Sequence, residues 1–224
     1  MPYKRSQSHL VRNVFIALLV LIVVVLSFVE VGDMLNRGNT TTGATKTTGT
    51  TTGTTTGTAP TGKNSNSTGA KVLLETSMGN ITIQLYSDMP LTSGNFLNLA
   101  EHGIYDDTLF SRVSKGFVIQ GGDATPKGIN VPTIADELPN KHSNIQGSVA
   151  MAKTDQPNSA TSQFFINLVD NSAQLDKTYS VFGQVIAGWD TVVKISQVSI
   201  TPVSSPTDGK PVQPIVIYHA IVIG

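Results

Sequence analysis

Apolar residues are distributed in three regimes along the chain. From Val14 to Val29, VFIALLVLIVVVLSFV, they run without a charge. From Gly38 to Gly69 the sequence is built almost wholly of Thr, Gly and Ser. From Lys71 onward short β-branched and apolar runs recur between Gly, Pro, Asn and Asp, the pattern of strands separated by turns. KVLLET and NITIQLY flank Ser77-Met78-Gly79 and predict a hairpin. LFSRV, GFVIQGG, GSVAMA, SQFFINL, SVFGQVI and PIVIYHAIVIG predict further strands. Two segments have helical spacing instead. PLTSGNFLNLAEHG has Leu91, Phe96, Leu99 and Ala100 apolar, with Thr92 and Ser93 as candidate caps and Gly103 as a stop, and GWDTVVKISQV has Trp189, Val192, Val193 and Ile195 at helical spacing. Eight short strands and two helices predict a mainly β fold, a closed or nearly closed antiparallel barrel. No strand-helix alternation supports a Rossmann-type sheet, and GDATPKG lacks the glycine spacing of a phosphate loop.

The first two regimes divide the chain. Residues 1–13 carry Lys4, Arg5 and Arg12 and read as a short basic cytoplasmic tail. Residues 14–31 read as a transmembrane signal anchor, because the positions after the apolar run fit the small-residue rule for cleavage poorly. Residues 32–69 read as a disordered linker, since threonine methyls and a few alanines cannot offset the entropy of ordering. Asn39 and Asn66 head Asn-x-Thr acceptor sequences within it. Positive residues on the N-terminal side of a first apolar segment stay in the cytoplasm, so the folded domain, residues 70–224, is expected outside the cell membrane on a single-pass anchor.

Charge and composition narrow the chemistry. The chain has 15 Lys+Arg and 15 Asp+Glu, but from Ala70 onward nine basic face thirteen acidic residues, a net of −4. A mildly acidic domain has no footprint for nucleic acid. The absence of cysteine excludes disulfides, thiolate catalysis and Cys-based zinc sites. His9, His102, His142 and His219 lack metal-ligand spacing, and Ser148 and Ser162 lie in no nucleophile elbow. Asp106-Asp107 and Asp136-Glu137 stand in turn-like contexts and read as solvated. What remains is a set of polar side chains embedded in strands beside aromatic residues: Arg112, Gln120 and Gln163 with Phe110, Phe117, Phe164 and Phe165. Taken alone, Arg112 also fits an ordinary exposed barrel position.

FSRVSKGFVIQGGD, with GSVAMAKTDQPNSATSQFFINL and LDKTYSVFGQV, resembles the cyclophilin family of peptidyl-prolyl cis-trans isomerases, nearest to its prokaryotic branch. The likeness runs from Lys71 to Gly224. It implies an eight-stranded antiparallel barrel with a helix at each end. It also implies a reaction: rotation about X-Pro bonds, whose barrier is about 18–20 kcal/mol. By the resemblance, Arg112 faces the proline nitrogen as it loses conjugation, Gln120 holds the substrate carbonyl, and Phe117 completes the catalytic group. Val118, Phe165 and Leu175 form the proline pocket with Phe117, Gln163 and Tyr179 line the site, and the backbone around Ala152 and Lys153 pairs with an extended peptide. No cofactor, metal or covalent intermediate is implied, and the partners are proline-containing polypeptides met by a monomer. Four positions depart from the family pattern. Val118 replaces methionine, Lys153 a frequent asparagine, Tyr179 histidine, and Gln174 the tryptophan common in eukaryotic members. The last removes an apolar lid and an indole donor, so weak binding of cyclosporin is expected. The competing reading is a tethered module that binds proline peptides with little turnover.

Overall fold

The computed structural model describes residues 69–223. The tail, the anchor and nearly all of the linker lie outside those residues, and among the described residues no helix is long and apolar enough to cross a membrane. β1 (Lys71–Thr76) and β2 (Gly79–Leu85) form the expected hairpin. Thr76 Oγ1 secures its turn by donating to the carbonyl of Gly79 at 2.6 Å and accepting from the amide of Met78 at 3.1 Å. α1 (Pro90–Glu101) follows, and here the expected caps are corrected. The N-cap is Met89, without a capping side chain, while Thr92 and Ser93 are buried inside the first turns. The open amides of Leu91 and Thr92 donate instead to the Glu137 carboxylate at 3.0 and 2.7 Å. Ser93 Oγ donates to the carbonyls of Tyr86 and Phe182, stitching the helix to the barrel. Glu137 is therefore a helix cap supplied from 45 residues away rather than a solvated carboxylate.

The chain continues through β3 (Thr108–Ser114), β4 (Val118–Gly121), a 3₁₀ turn at Thr125–Lys127, β5 (Ser148–Met151), β6 (Phe164–Asn167) and the four-residue α2 (Ser172–Leu175). β7 (Val181–Ala187), α3 (Trp189–Ser196), β8 (Ile200–Ser205), β9 (Asp208–Pro211) and β10 (Val216–Ile223) complete it. The strand order β10-β1-β2-β7-β5-β6-β4-β3 closes on itself where Val216 pairs with Leu109 and Ile217 with Thr108, so eight antiparallel strands make the barrel. They are the eight that the sequence predicts.

Ten strands are present, however, because β8 and β9 form a hairpin attached to β3 outside the closed ring. ITPVSSPTDGKP alternates weakly and contains three prolines and a glycine, which is why no strand is predicted there. α2 is likewise too short for periodicity to reveal.

Inside the barrel, alternate residues of each strand meet one aromatic cluster. Phe96 of α1 packs on Tyr105, Phe164 and Phe182 with ring centroids 4.9–5.3 Å apart, and Phe110 meets Phe164 edge-on at 5.9 Å. Phe110 and Phe164, grouped by sequence with the candidate site, therefore belong to the core.

Candidate active site

Strict alternation would send Arg112 to the same side as Phe110, into the core. A register shift between the two residues prevents this: Phe110 pairs with Gly121, Arg112 with Gln120, and Ser111 is the extra residue of a bulge. Gly121 is required opposite the bulge, since a Cβ there would stand 2.7 Å from the Leu109 carbonyl and 3.0 Å from the Phe110 ring. Past the bulge Arg112 points outward while Val113 returns to the core.

On the outer face of β7, β5, β6, β4 and β3 a second apolar cluster forms, separate from the interior. Val118, Ala150, Ala152, Phe165, Leu175 and Val181 are buried in it, with Tyr86, Phe117 and Tyr179 packed against them. Register explains the assembly: Phe165 lies opposite both Gln120 and Ala150, and Ala150 opposite Val181. The Tyr179 ring stands edge-on to Phe165 at 5.4 Å. Burial raises the phenol's pKa, and the nearby positive charge of Arg112 opposes the shift only in part.

A polar row borders this recess. Gln120 Nε2 donates to Gln163 Oε1 at 2.8 Å, and Arg112 Nη1 donates to Gln120 Oε1 at 3.3 Å. The guanidinium also grips Asp208 of β9, Nε to Oδ1 at 2.9 Å and Nη2 to Oδ2 at 2.6 Å. Both side chains are about nine-tenths buried, at 10% and 8% exposure. Behind the recess Asn171 Nδ2 donates to the Phe117 carbonyl at 3.0 Å and to Asn167 Oδ1 at 2.8 Å, and Asn167 Nδ2 donates to Ser148 Oγ at 2.9 Å. These bonds anchor the backbone of Phe117, whose ring packs against the apolar cluster.

All eleven residues assigned from the sequence fall in this region or at its margin. Phe117, Val118, Ala152, Phe165, Leu175 and Tyr179 share the apolar cluster, and Arg112, Gln120 and Gln163 share the polar row. Gln174 is exposed on α2, beside Leu175. Lys153 turns away: its ammonium is bound by Asp136 at 2.5 Å, so Asp136 is a paired carboxylate and not a solvated one. Asp106, also expected to be solvated, accepts from the amide of Ala220 at 3.1 Å.

Sequence reasoning missed Ala150, Val181, Tyr86 and Asp208. The first two were accessible from alternation alone, since they adjoin the core residues Val149 and Phe182. Asp208 carries no local signal, because it lies in a stretch with no predicted element and meets Arg112 across 96 residues. The arrangement sets an apolar cluster on the outer face beside amide and guanidinium groups, a combination suited to a small apolar ring with polar backbone on either side of it.

Residues 71–222 match the family model described as cyclophilin type peptidyl-prolyl cis-trans isomerase/CLD. Peptidyl-prolyl cis-trans isomerase A of Dickeya dadantii is 41% identical over 166 residues, covering 70% of this chain and 86% of that protein. A peptidyl-prolyl cis-trans isomerase of Streptomyces antibioticus is 42% identical over 164 residues, covering 68% of this chain and 98% of its own. Among solved structures, a cyclophilin type isomerase of Cryptosporidium parvum superposes with a TM-score of 0.62 at 27% identity, over 70% of this chain and 98% of that one. The same protein, crystallised in the presence of the dipeptide Ala-Pro, gives 0.61 at 28% identity, over 69% and 99%. With its barrel spanned by the family model and its relatives about two-fifths identical, the chain belongs to the cyclophilin-type peptidyl-prolyl cis-trans isomerases and catalyses rotation about X-Pro peptide bonds.

Proposed function

We propose that the reaction takes place on the outer face of β3, β4, β6, β5 and β7, with Arg112 stabilising the twisted amide. The observation that carries this reading is the adjacency of an apolar recess to an outward-aimed, nearly buried guanidinium. The proline ring sits against Phe117, Val118, Phe165, Leu175 and Tyr179, while the flanking peptide runs extended past Ala152 and Gln163. Gln120 takes up the substrate carbonyl, and Lys153 acts through its main chain because its ammonium is engaged by Asp136.

As the X-Pro bond twists, conjugation is lost and the proline nitrogen regains a basic lone pair. An N–H donor of Arg112 bonds that lone pair in the transition state and finds no equivalent acceptor in the planar ground state. That difference lowers the barrier. An arginine keeps its charge at any working pH, and its planar fork fixes the donor directions. No proton needs to be transferred.

Replacing Arg112 by Ala is expected to lower kcat/KM by about a hundredfold or more, the usual consequence of removing one preorganised donor. Proline-peptide binding weakens far less. A peptide isomerisation assay on the variant, with near-UV circular dichroism to verify the fold, checks this, and a rate close to the parent's overturns the role.

The second part of the reading concerns place. The barrel works as a monomer of the family's prokaryotic branch, tethered outside the cytoplasmic membrane by residues 14–31 and the Thr/Gly-rich linker. Supporting it are the charge-free apolar run behind Lys4, Arg5 and Arg12 and the Thr/Gly tract that follows. There it meets chains that have just crossed the membrane, whose slow prolyl isomerisation limits folding. Protease added to cells stripped of any outer envelope should cut the linker and release the barrel. Full protection, under conditions that shave known external domains, reverses the topology.

A further inference from the structure

We infer that Asp208 is a positioning residue of the isomerase site, holding the guanidinium of Arg112 so that its remaining N–H groups face the substrate. The inference rests on the role of Arg112 proposed above. A guanidinium has five N–H donors. Asp208 takes two of them, from Nε and Nη2, and Gln120 takes one from Nη1. One donor on each terminal nitrogen stays uncommitted. The side-on, two-point grip fixes the plane as well as the position of the group, which a single contact cannot do.

The architecture supplies an independent reason. The barrel closes between β10 and β3 without β8 and β9. The additional hairpin attaches to β3 by pairing Val113 with Gly209 and Ser114 with Asp208, on the strand that carries Arg112. The Lys115 amide, just past β3, donates to the Thr207 carbonyl at 2.8 Å and extends that attachment, while inside the hairpin β8 and β9 lie so close at Gly209 that a Cβ there would stand 2.1 Å from the Thr201 carbonyl. Within the site, the consequence of that seating is one carboxylate, 8% exposed, against Arg112.

Freed from it, a long side chain left with the single 3.3 Å contact to Gln120 samples several rotamers, of which few aim a donor at the amide nitrogen. The carboxylate also neutralises the guanidinium's charge. What the paired group then offers a neutral lone pair is direction, so the site depends on the alignment that Asp208 imposes.

The test compares kcat and KM for the full chain with Asp208→Asn, Asp208→Ala, Arg112→Ala and the double variant Arg112→Ala/Asp208→Ala. Asp208→Ala is expected to lower kcat by about tenfold or more, since small misplacement of a catalytic group is costly, with KM changed by no more than about twofold. Asp208→Asn, which keeps the shape and one acceptor for Nε–H, should fall between the parent and Asp208→Ala. On the Arg112→Ala background, removing Asp208 should change kcat/KM by less than about twofold, because the two act as one unit. In ¹⁵N spectra the Nε–H of Arg112 should exchange with solvent faster in Asp208→Asn than in the parent. A merely structural Asp208 would lower thermal stability and leave kcat per folded molecule unchanged, which overturns the assignment. Equal losses with and without Arg112 overturn it as well. A parental rate for Arg112→Ala would show instead that the role of Arg112, and not only that of Asp208, is wrong.

Discussion

Phe164 and Phe165 are neighbours of the same type on one strand, and they face opposite worlds. Phe164 is fully buried among Phe96, Tyr105 and Phe110, enclosed by the barrel wall and α1. Phe165 is 4% exposed and so almost as well hidden, but beside Val118 and Ala150 of the neighbouring strands its cover comes from Leu175 of the four-residue α2 and from Phe117 and Tyr179 on short connections. Burial therefore does not distinguish core from site in this molecule; the source of the cover does. Where whole strands and a helix supply it, the side chain is locked into the fold. Where loops and one four-residue helix supply part of it, a ligand can compete for the same surface.

The largest effect that would break this comparison is on stability. Phe164→Ala should cost about 3–5 kcal/mol, because the interior cannot collapse around the cavity. Phe165→Ala should cost nearer the transfer value alone, about 1.5–3 kcal/mol, because water or a shifted rim residue can fill the gap. Denaturant midpoints at unchanged slope measure both, and equal losses would mean that the outer cluster is simply more core. The same pair should separate in the opposite sense in the assay, with Phe165→Ala raising KM and folded Phe164→Ala leaving it close to the parent's.

Gln174→Trp probes the rim alone. An indole there restores a broad apolar face and one N–H donor, worth about 1.5–3 kcal/mol and about 1 kcal/mol when both are used. Titration with cyclosporin should show tens-fold tighter inhibition of the variant, with little change in turnover of a short proline peptide or in stability. A parent that the drug already inhibits as strongly would show that position 174 does not control the recess.

The smallest expected effect is an absence of one. Tyr179 stands where the family usually has histidine, and burial raises its pKa above that of an exposed phenol. A raised phenol pKa keeps the neutral form to higher pH, so the stability from burying that form is complete below an ordinary tyrosine pKa of about 10 and is lost only as pH rises through the folded value. Isomerisation should therefore be flat from about pH 6 to 9. An inflection near neutrality would bring an imidazole into the site, and His142, stacked on Tyr86 at 3.7 Å, is the first to replace by Phe.

Much of this was legible in advance because strands advertise themselves by alternation and turns by glycine and proline. The eight barrel strands and the two longer helices followed from the period of apolar residues and from punctuation such as Ser77-Met78-Gly79 and Gly103. The residues at the site were legible by another route, the resemblance of long stretches around Arg112, Gln163 and Tyr179. Physical pattern alone left Arg112 as an ordinary exposed position and placed Phe110 and Phe164 beside it. For Phe110 and Arg112 a bulge is the reason: one inserted residue, Ser111, reverses every later side chain on the strand, and nothing local in FSRVS marks it.

What the sequence determined by itself is what short-range physics can encode: which segments extend, which turn, and which residues are apolar enough to be buried. What only the tertiary structure decided is partnership across long separations. Glu137 became a helix cap and Asp136 the counter-ion of Lys153, both having read as solvated turn carboxylates, and Asp208, which had drawn no reading at all, became the counter-ion of Arg112. A carboxylate is equally content in water or opposite a buried donor. Its place is fixed only when chain closure brings that donor within reach and removes the water.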